Sequence, residues 1–268
     1  MATKVIAITN QKGGVGKTTT AVNLSASLCA IKRKILLIDL DPQGNATMGS
    51  GIHKEKIDFS TADVLLSLVS IQNVIHKTEA GYDLLPANSQ LIAAEVQLSR
   101  LDEREYFLRK ILNPICENYD FIFIDCPPSL NILTVNALVA ATSVIIPVQC
   151  EYYALEGLAS LVGTIEQIKN TVNSELQIEG LLRTMYDGRN RLTLEVSEQL
   201  MQHFPGKVYK TVIPRNVRLA EAPSHGLPAL HYDRDSQGAI AYLALAGEIC
   251  KQNYNKGSSL NLRHLGKM

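Results

Sequence analysis

The chain of 268 residues contains no tryptophan, and aromatic residues make up only 6% of it. Its core must therefore be built mainly from aliphatic side chains. No apolar run approaches the ~20 residues that a membrane-spanning helix needs, and the first strand-like run starts by residue 4, which predicts no signal peptide and a cytoplasmic protein. Cysteine is sparse and scattered: Cys29, Cys116, Cys126, Cys150 and Cys250 are odd in number and form no C-x-x-C pair. That pattern indicates neither a disulfide framework nor a zinc site, and the five read as small core hydrophobes. Net charge is zero, with 26 basic and 26 acidic residues. Composition alone thus gives no reason to expect a nucleic-acid partner.

What is present is an ordinary globular balance, 46% hydrophobic and 19% charged, in a length suited to one α/β domain. Residues 4–9 and 34–39 are apolar runs suited to buried parallel strands, and residues 82–86, 121–125, 143–148, 180–185 and 208–213 supply further strands. Helical patterning fills the intervals, at 18–30, 62–68 and 92–115 among others. Strands alternating with helices predict a mostly parallel, twisted sheet covered on both faces. No internal repeat or low-complexity linker divides the chain. From about residue 251 it becomes rich in Asn, Gly and Ser, so the expected division is a domain at 1–252 and a flexible tail at 253–268.

The most informative segment is residues 10–19, Asn-Gln-Lys-Gly-Gly-Val-Gly-Lys-Thr-Thr. It lies between a strand and a helix, where glycines let backbone N–H groups turn inward as an anion nest and the helix N-terminus adds positive potential. Lys17 would neutralise the β- and γ-phosphates, and the Thr18 hydroxyl would take one position on Mg²⁺. Gly13, Gly16, Lys17 and Thr18 already satisfy G-x-x-G-K-T, so Lys12 is a lysine more than phosphate holding requires. The bland alternative for it is a solvated side chain beside the loop, the lesser reading on position alone.

Two more strands end in carboxylates. Residues 34–39 end in Asp39 and run into the turn-rich Asp41-Pro42-Gln43-Gly44-Asn45, at the carboxyl edge of the sheet, where ligands bind in such folds. Asp39 reads equally well as a turn cap. Residues 121–125, Phe-Ile-Phe-Ile-Asp, have the pattern of a Walker B strand, whose Asp125 would hold Mg²⁺ through water. Pro127 and Pro128 stiffen its exit.

Residues 12–19 resemble the deviant Walker A loop of the P-loop ATPase family that includes partition ATPases, MinD, arsenite-pump ATPases and the nitrogenase iron protein. Residues 151–158, 184–189 and 213–226 narrow the likeness to the chromosomal ParA/Soj subfamily, and it extends from residue 4 to about 250. The resemblance implies a single-domain P-loop fold and an ATP-Mg²⁺ site formed by Lys12, Gly13, Gly14, Val15, Gly16, Lys17, Thr18 and Thr19. It implies that Lys12 crosses a nucleotide sandwich homodimer to the partner's ATP and that Asp41 positions the attacking water. Lys12, Lys17 and Asp41 are the expected catalytic set, and Pro214 and Asn216 border the adenine.

The same likeness implies weak, partner-stimulated hydrolysis, with a ParB/Spo0J-like centromere-binding protein as the partner. It also implies that Arg189 and Arg218 bind double-stranded DNA without reading sequence, at the nucleoid. Charge distribution fits: residues 179–268 hold 12 basic against 8 acidic side chains, a balance of +4, and residues 1–178 hold 14 against 18. An ordinary solvated surface would account for those numbers too. The alternative is a MinD-like membrane-surface switch. Leu260, Leu262 and Leu265 among Gly, Ser and Asn make too weak a stripe for stable membrane attachment, so no membrane partner is expected. Nor is a second cysteine of the iron protein's cluster pattern evident beside Cys126.

Overall fold

The computed structural model describes the backbone of residues 3–265 and the side chains of residues 3–253. From the amino end, β1 (Lys4–Ile8) leads into α1 (Lys17–Ala30) and β2 (Ile35–Asp39). Two short helices, α2 (Asn45–Gly49) and α3 (Thr61–Leu65), precede β3 (His76–Lys77) and β4 (Asp83–Leu85). Helices α4 (Gln90–Leu98) and α5 (Phe107–Leu112) bring the chain to β5 (Phe121–Asp125). There follow α6 (Ile132–Ala140), β6 (Ser143–Gln149), α7 (Ala154–Thr171), β7 (Gln177–Tyr186), α8 (Arg191–His203) and β8 (Val208–Pro214). The last elements are α9 (Val217–Glu221), α10 (Ala229–Tyr232) and α11 (Gln237–Leu265).

The strands form one eight-stranded sheet in the order β3-β4-β2-β5-β1-β6-β7-β8. Every pairing is parallel except the edge pair β3–β4. Side-chain alternation along each strand divides the core in two. Val5 and Ala7, Leu36 and Ile38, Ile122 and Ile124, and Val144 and Ile146 face the layer built from α3 to α8. Ile6 and Ile8, Ile35 and Leu37, Phe121 and Phe123, and Ile145 face the layer of α1, α2, α9, α10 and α11. The chain is thus a single α/β domain with helices on both faces, as the alternation of strands and helices implies.

Some local details differ from the sequence pattern. Residues 92–115 are not one helical run: α4 stops at Leu98, Glu103 adopts φ 51°, and 3₁₀ turns flank α5, the second carrying Pro114. The helix read at 62–68 is only the five residues of α3, because Ser67 turns left-handed at φ 59°. Strand β3 was not foreseen, since two residues carry no periodicity. The expected tail lies partly outside the described residues; as far as Leu265 its backbone continues α11. A helix anchored by buried Tyr242, Leu245, Ala246 and Ile249 needs no new nucleus to extend.

Candidate functional site

The parallel register brings three strand ends together. Asp125 of β5 lies opposite Ile8 of β1 on one side and Asp39 of β2 on the other. Residues leaving those strands therefore share one edge, and they line a cavity of about 580 Å³. Gly13, Gly14, Gly16, Lys17, Thr18 and Thr19 form one wall, and Asp41, Pro42, Gln43 and Asn45 another. Pro127, Pro128, Ser129 and Asn131 come from the loop after β5, with Ile92 and Glu95 contributed by α4.

The loop geometry follows from its glycines. Gly14 and Gly16 hold φ 73° and 87°, a left-handed conformation that side chains resist. Gly16 is the N-cap of α1 and has no side chain to satisfy the helix's first N–H groups. Those donors and the helix dipole lie at the cavity wall, where an anion would satisfy them. The Thr184 hydroxyl donates to the carbonyl of Val15 at 2.8 Å, tying the loop to β7. Lys17 is buried, its ammonium donates to the carbonyl of Lys12 at 3.0 Å, and burial lowers its pKa against the opposing pull of Asp125, Cys126 and Asp41. A buried cation with a single neutral acceptor is poised for anionic oxygens.

The three carboxylates differ in their surroundings. Asp39 is fully buried and satisfied: it accepts from the Thr47 N–H and hydroxyl at 2.8 and 2.7 Å and from the Asp41 N–H at 3.1 Å. Burial pushes its pKa up to about 6 despite those bonds. It is the turn tie between β2 and α2, the structural reading of that residue. Asp41, almost buried, accepts from the Gln43 N–H at 2.9 Å and faces the cavity.

Asp125 is fully buried, and neither of its oxygens accepts a hydrogen bond of ordinary geometry. Its pKa is raised well above the usual carboxylate range by burial first and then by Asp39, with the nearby Thr18 hydroxyl pulling the other way. An orphaned carboxylate behind the Thr18 hydroxyl, which itself lines the cavity, suits a hydrated divalent cation that Thr18 would ligate directly and Asp125 would hold through water. The hard oxygen donors fit Mg²⁺ better than a softer metal.

Lys12 does not line this cavity. Its ammonium pairs with Glu151 at 2.5 Å, both side chains partly exposed. Beyond Gly16 and Thr19 a second hollow of about 200 Å³ opens, lined by Thr184, Met185, Ile213, Pro214, Arg215, Asn216, Leu219, Ala220 and Tyr242. The structure thus brings Pro214 and Asn216 to one apolar slot beside the phosphate loop. The Asn216 side-chain Oδ1 caps α9 by accepting from the Leu219 N–H at 3.3 Å, which leaves its side-chain N–H₂ for a ligand.

The two arginines stand elsewhere. Arg189 is almost fully exposed and grips Asp187 with two nitrogens, each at 2.9 Å. Arg218 is half exposed and pairs with Glu221 at 2.7 Å and Asp233 at 3.0 Å. Three features escaped the sequence reading: Thr47 as the anchor of Asp39, Glu151 as the counter-ion of Lys12, and Met185, which lines both hollows. Glu151 and Met185 lie within motifs that carry the family likeness, but no spacing rule marks where their side chains go.

Among proteins of known sequence or structure, residues 3–178 match the family model described as an AAA domain. The sporulation initiation inhibitor protein Soj of Bacillus subtilis is 53% identical over 92% of this chain and 98% of its own length. The chromosome partitioning protein ParA of Caulobacter vibrioides is 47% identical over 94% of this chain and 96% of its own. The crystal structure of cobyrinic acid a,c-diamide synthase from Mycobacterium smegmatis, with bound ATP analog and magnesium, superposes with a TM-score of 0.81. It is 38% identical, over 91% of this chain and 93% of that one.

Proposed function

The chain belongs to the ParA/Soj family of chromosome-partitioning ATPases, and from that premise we propose that it is an ATP-driven DNA-segregation switch. Residues 1–252 are the ATPase unit and 253–268 an appended tail. ATP enters with its triphosphate along Gly13, Gly14, Val15, Gly16, Lys17, Thr18 and Thr19 and its base in the slot bordered by Pro214 and Asn216. Thr18 and Asp125 hold Mg²⁺, which shields phosphate charge when bound. Asp41 orients the water that attacks the γ-phosphate.

The observation that best supports a switch is the position of Lys12. Lys17 already serves the chain's own phosphate cavity, and Lys12 stands outside it on Glu151. A lysine so placed has its use at a second protomer's phosphates, so ATP becomes the signal that closes a homodimer. The closed dimer binds double-stranded DNA through cations that include Arg189 and Arg218, and DNA phosphates compete for them with Asp187, Glu221 and Asp233. A ParB/Spo0J-like protein then stimulates hydrolysis and release. The setting is cytoplasmic and nucleoid-associated, with DNA and not membrane as the surface.

A gel-shift titration on unrelated duplexes with ATP-Mg²⁺, ADP-Mg²⁺ and no nucleotide tests the proposal. Binding should need ATP, be indifferent to sequence and weaken steeply with salt. Equal shifts in all three states would remove the switch.

A further inference from the structure

Strand β7 is irregular where it meets the two hollows. Arg183 lies opposite Val212 and Tyr186 opposite Pro214, so two residues of β7, Thr184 and Met185, stand against the single Ile213 of β8. That is a β-bulge, which re-aims a side chain out of the pleat. Met185 adopts φ 48° there, a left-handed conformation that an unbranched, non-glycine side chain seldom takes without cause. Its neighbour is fixed: Thr184 is buried and bonded to the Val15 carbonyl. The bulge therefore swings Met185 alone, and the side chain it displays lines both the phosphate cavity and the apolar slot.

We infer that Met185 is a positioning residue, the partition that grips the nucleoside part of the ligand and sets how far the triphosphate reaches along the loop. The inference rests on the nucleotide reading of the site. A flexible, polarisable thioether suits this place, because it can follow a planar base or the edge of a sugar. Most of the slot's other lining is apolar, from Ile213, Pro214, Leu219 and Ala220, and the Thr184 hydroxyl is already committed to the Val15 carbonyl.

The test compares two probes, ATP-Mg²⁺ and inorganic tripolyphosphate with Mg²⁺, on the parent, Met185→Gly and Met185→Leu. Glycine accepts the left-handed backbone without strain, so Met185→Gly should melt no lower than the parent without ligand. It should bind ATP about tenfold more weakly, the scale expected when one partly exposed apolar side chain leaves a ligand. Tripolyphosphate, which has no nucleoside, should bind within about twofold of the parent, and Met185→Leu should recover most of the ATP affinity through similar volume. In turnover the glycine variant should raise KM more than it lowers kcat. Unchanged ATP affinity in Met185→Gly overturns the inference, as does an equal loss for both probes, which would mean that the bulge only supports the phosphate loop. A parent that bound tripolyphosphate and ATP equally well would refute it from the other side. A parent that bound neither would instead defeat the nucleotide reading itself.

Discussion

Burial makes Asp39 hold a proton to higher pH than an ordinary carboxylate. Its pKa rises to about 6 because burial outweighs the three hydrogen bonds it accepts, and Asp125, in register with it on the next strand, is raised for the same first reason. The sign follows from proton counting: between about 4 and 6 the folded chain binds a proton that the unfolded chain has released. Stability should therefore fall as pH rises through that window, the reverse of a salt-bridged carboxylate. Asp39→Asn removes the titration but turns an amide N–H₂ toward donors from Thr47 or Asp41. At pH 5 it should cost about 1–3 kcal/mol, the scale of a buried donor left unpaired. By pH 8 the deficit should shrink, because the parent then carries a buried charge that the variant lacks. Urea melts at the two pH values, without nucleotide or Mg²⁺, measure both numbers; a deficit that grows with pH would contradict the assignment.

At the scale of elements, the site depends on helices that approach closely enough to form the slot. Gly238, in the first turn of α11, lies where a Cβ would come within 2.5 Å of Leu219 Cγ on α9. Gly238→Ala must push α9 away, and α9 begins at the Asn216 cap and carries Arg218. Such overpacking should cost about 1–3 kcal/mol in a thermal or urea melt and should weaken ATP more than tripolyphosphate, since the phosphate loop lies on other elements. Unaltered stability would mean that α9 yields freely. This contact also marks the limit of what the sequence discloses. The strands, the phosphate loop and the β5 carboxylate are legible because each is a local pattern: a β-branched run, a glycine spacing, an apolar run closed by Asp125. The breaks at Ser67 and Glu103, the two-residue β3 and the bulge at Met185 are not, because each depends on backbone angles or pairings settled by distant partners. Asp39 could be read either as a site residue or as a turn cap, and Thr47, eight residues on, decided the matter. Lys12 was singled out from its surplus, but its partner Glu151 lies 139 residues away and no spacing joins them.

For the whole molecule the question is what ATP changes, and only interactions that differ between two states can shift the balance between them. In the single protomer Lys12 is held by Glu151, an exposed pair of the kind that contributes little, ~1 kcal/mol or less. In the proposed switch, moving Lys12 from that carboxylate to a partner's triphosphate would exchange a weak solvated pair for a desolvated one with more charge, so closure would gain where the open form loses little. Lys12→Ala should leave ATP binding near parental, because Lys17 and the loop amides remain, yet the variant should stay monomeric and off DNA. Asp41 faces the cavity close enough to act on Lys17, and in the proposed switch it is needed only after closure, when water must be aligned. Asp41→Ala should close normally and hydrolyse about 10²-fold more slowly or worse, the scale of losing a group that positions or deprotonates the nucleophile. It should then accumulate as an ATP-bound dimer that remains on DNA while the parent cycles off. Light scattering after size exclusion in ATP-Mg²⁺, read beside phosphate release, separates the two roles. A dimeric Lys12→Ala would place the dimer signal elsewhere, and parental turnover in Asp41→Ala would leave the attacking water to another residue of the cavity.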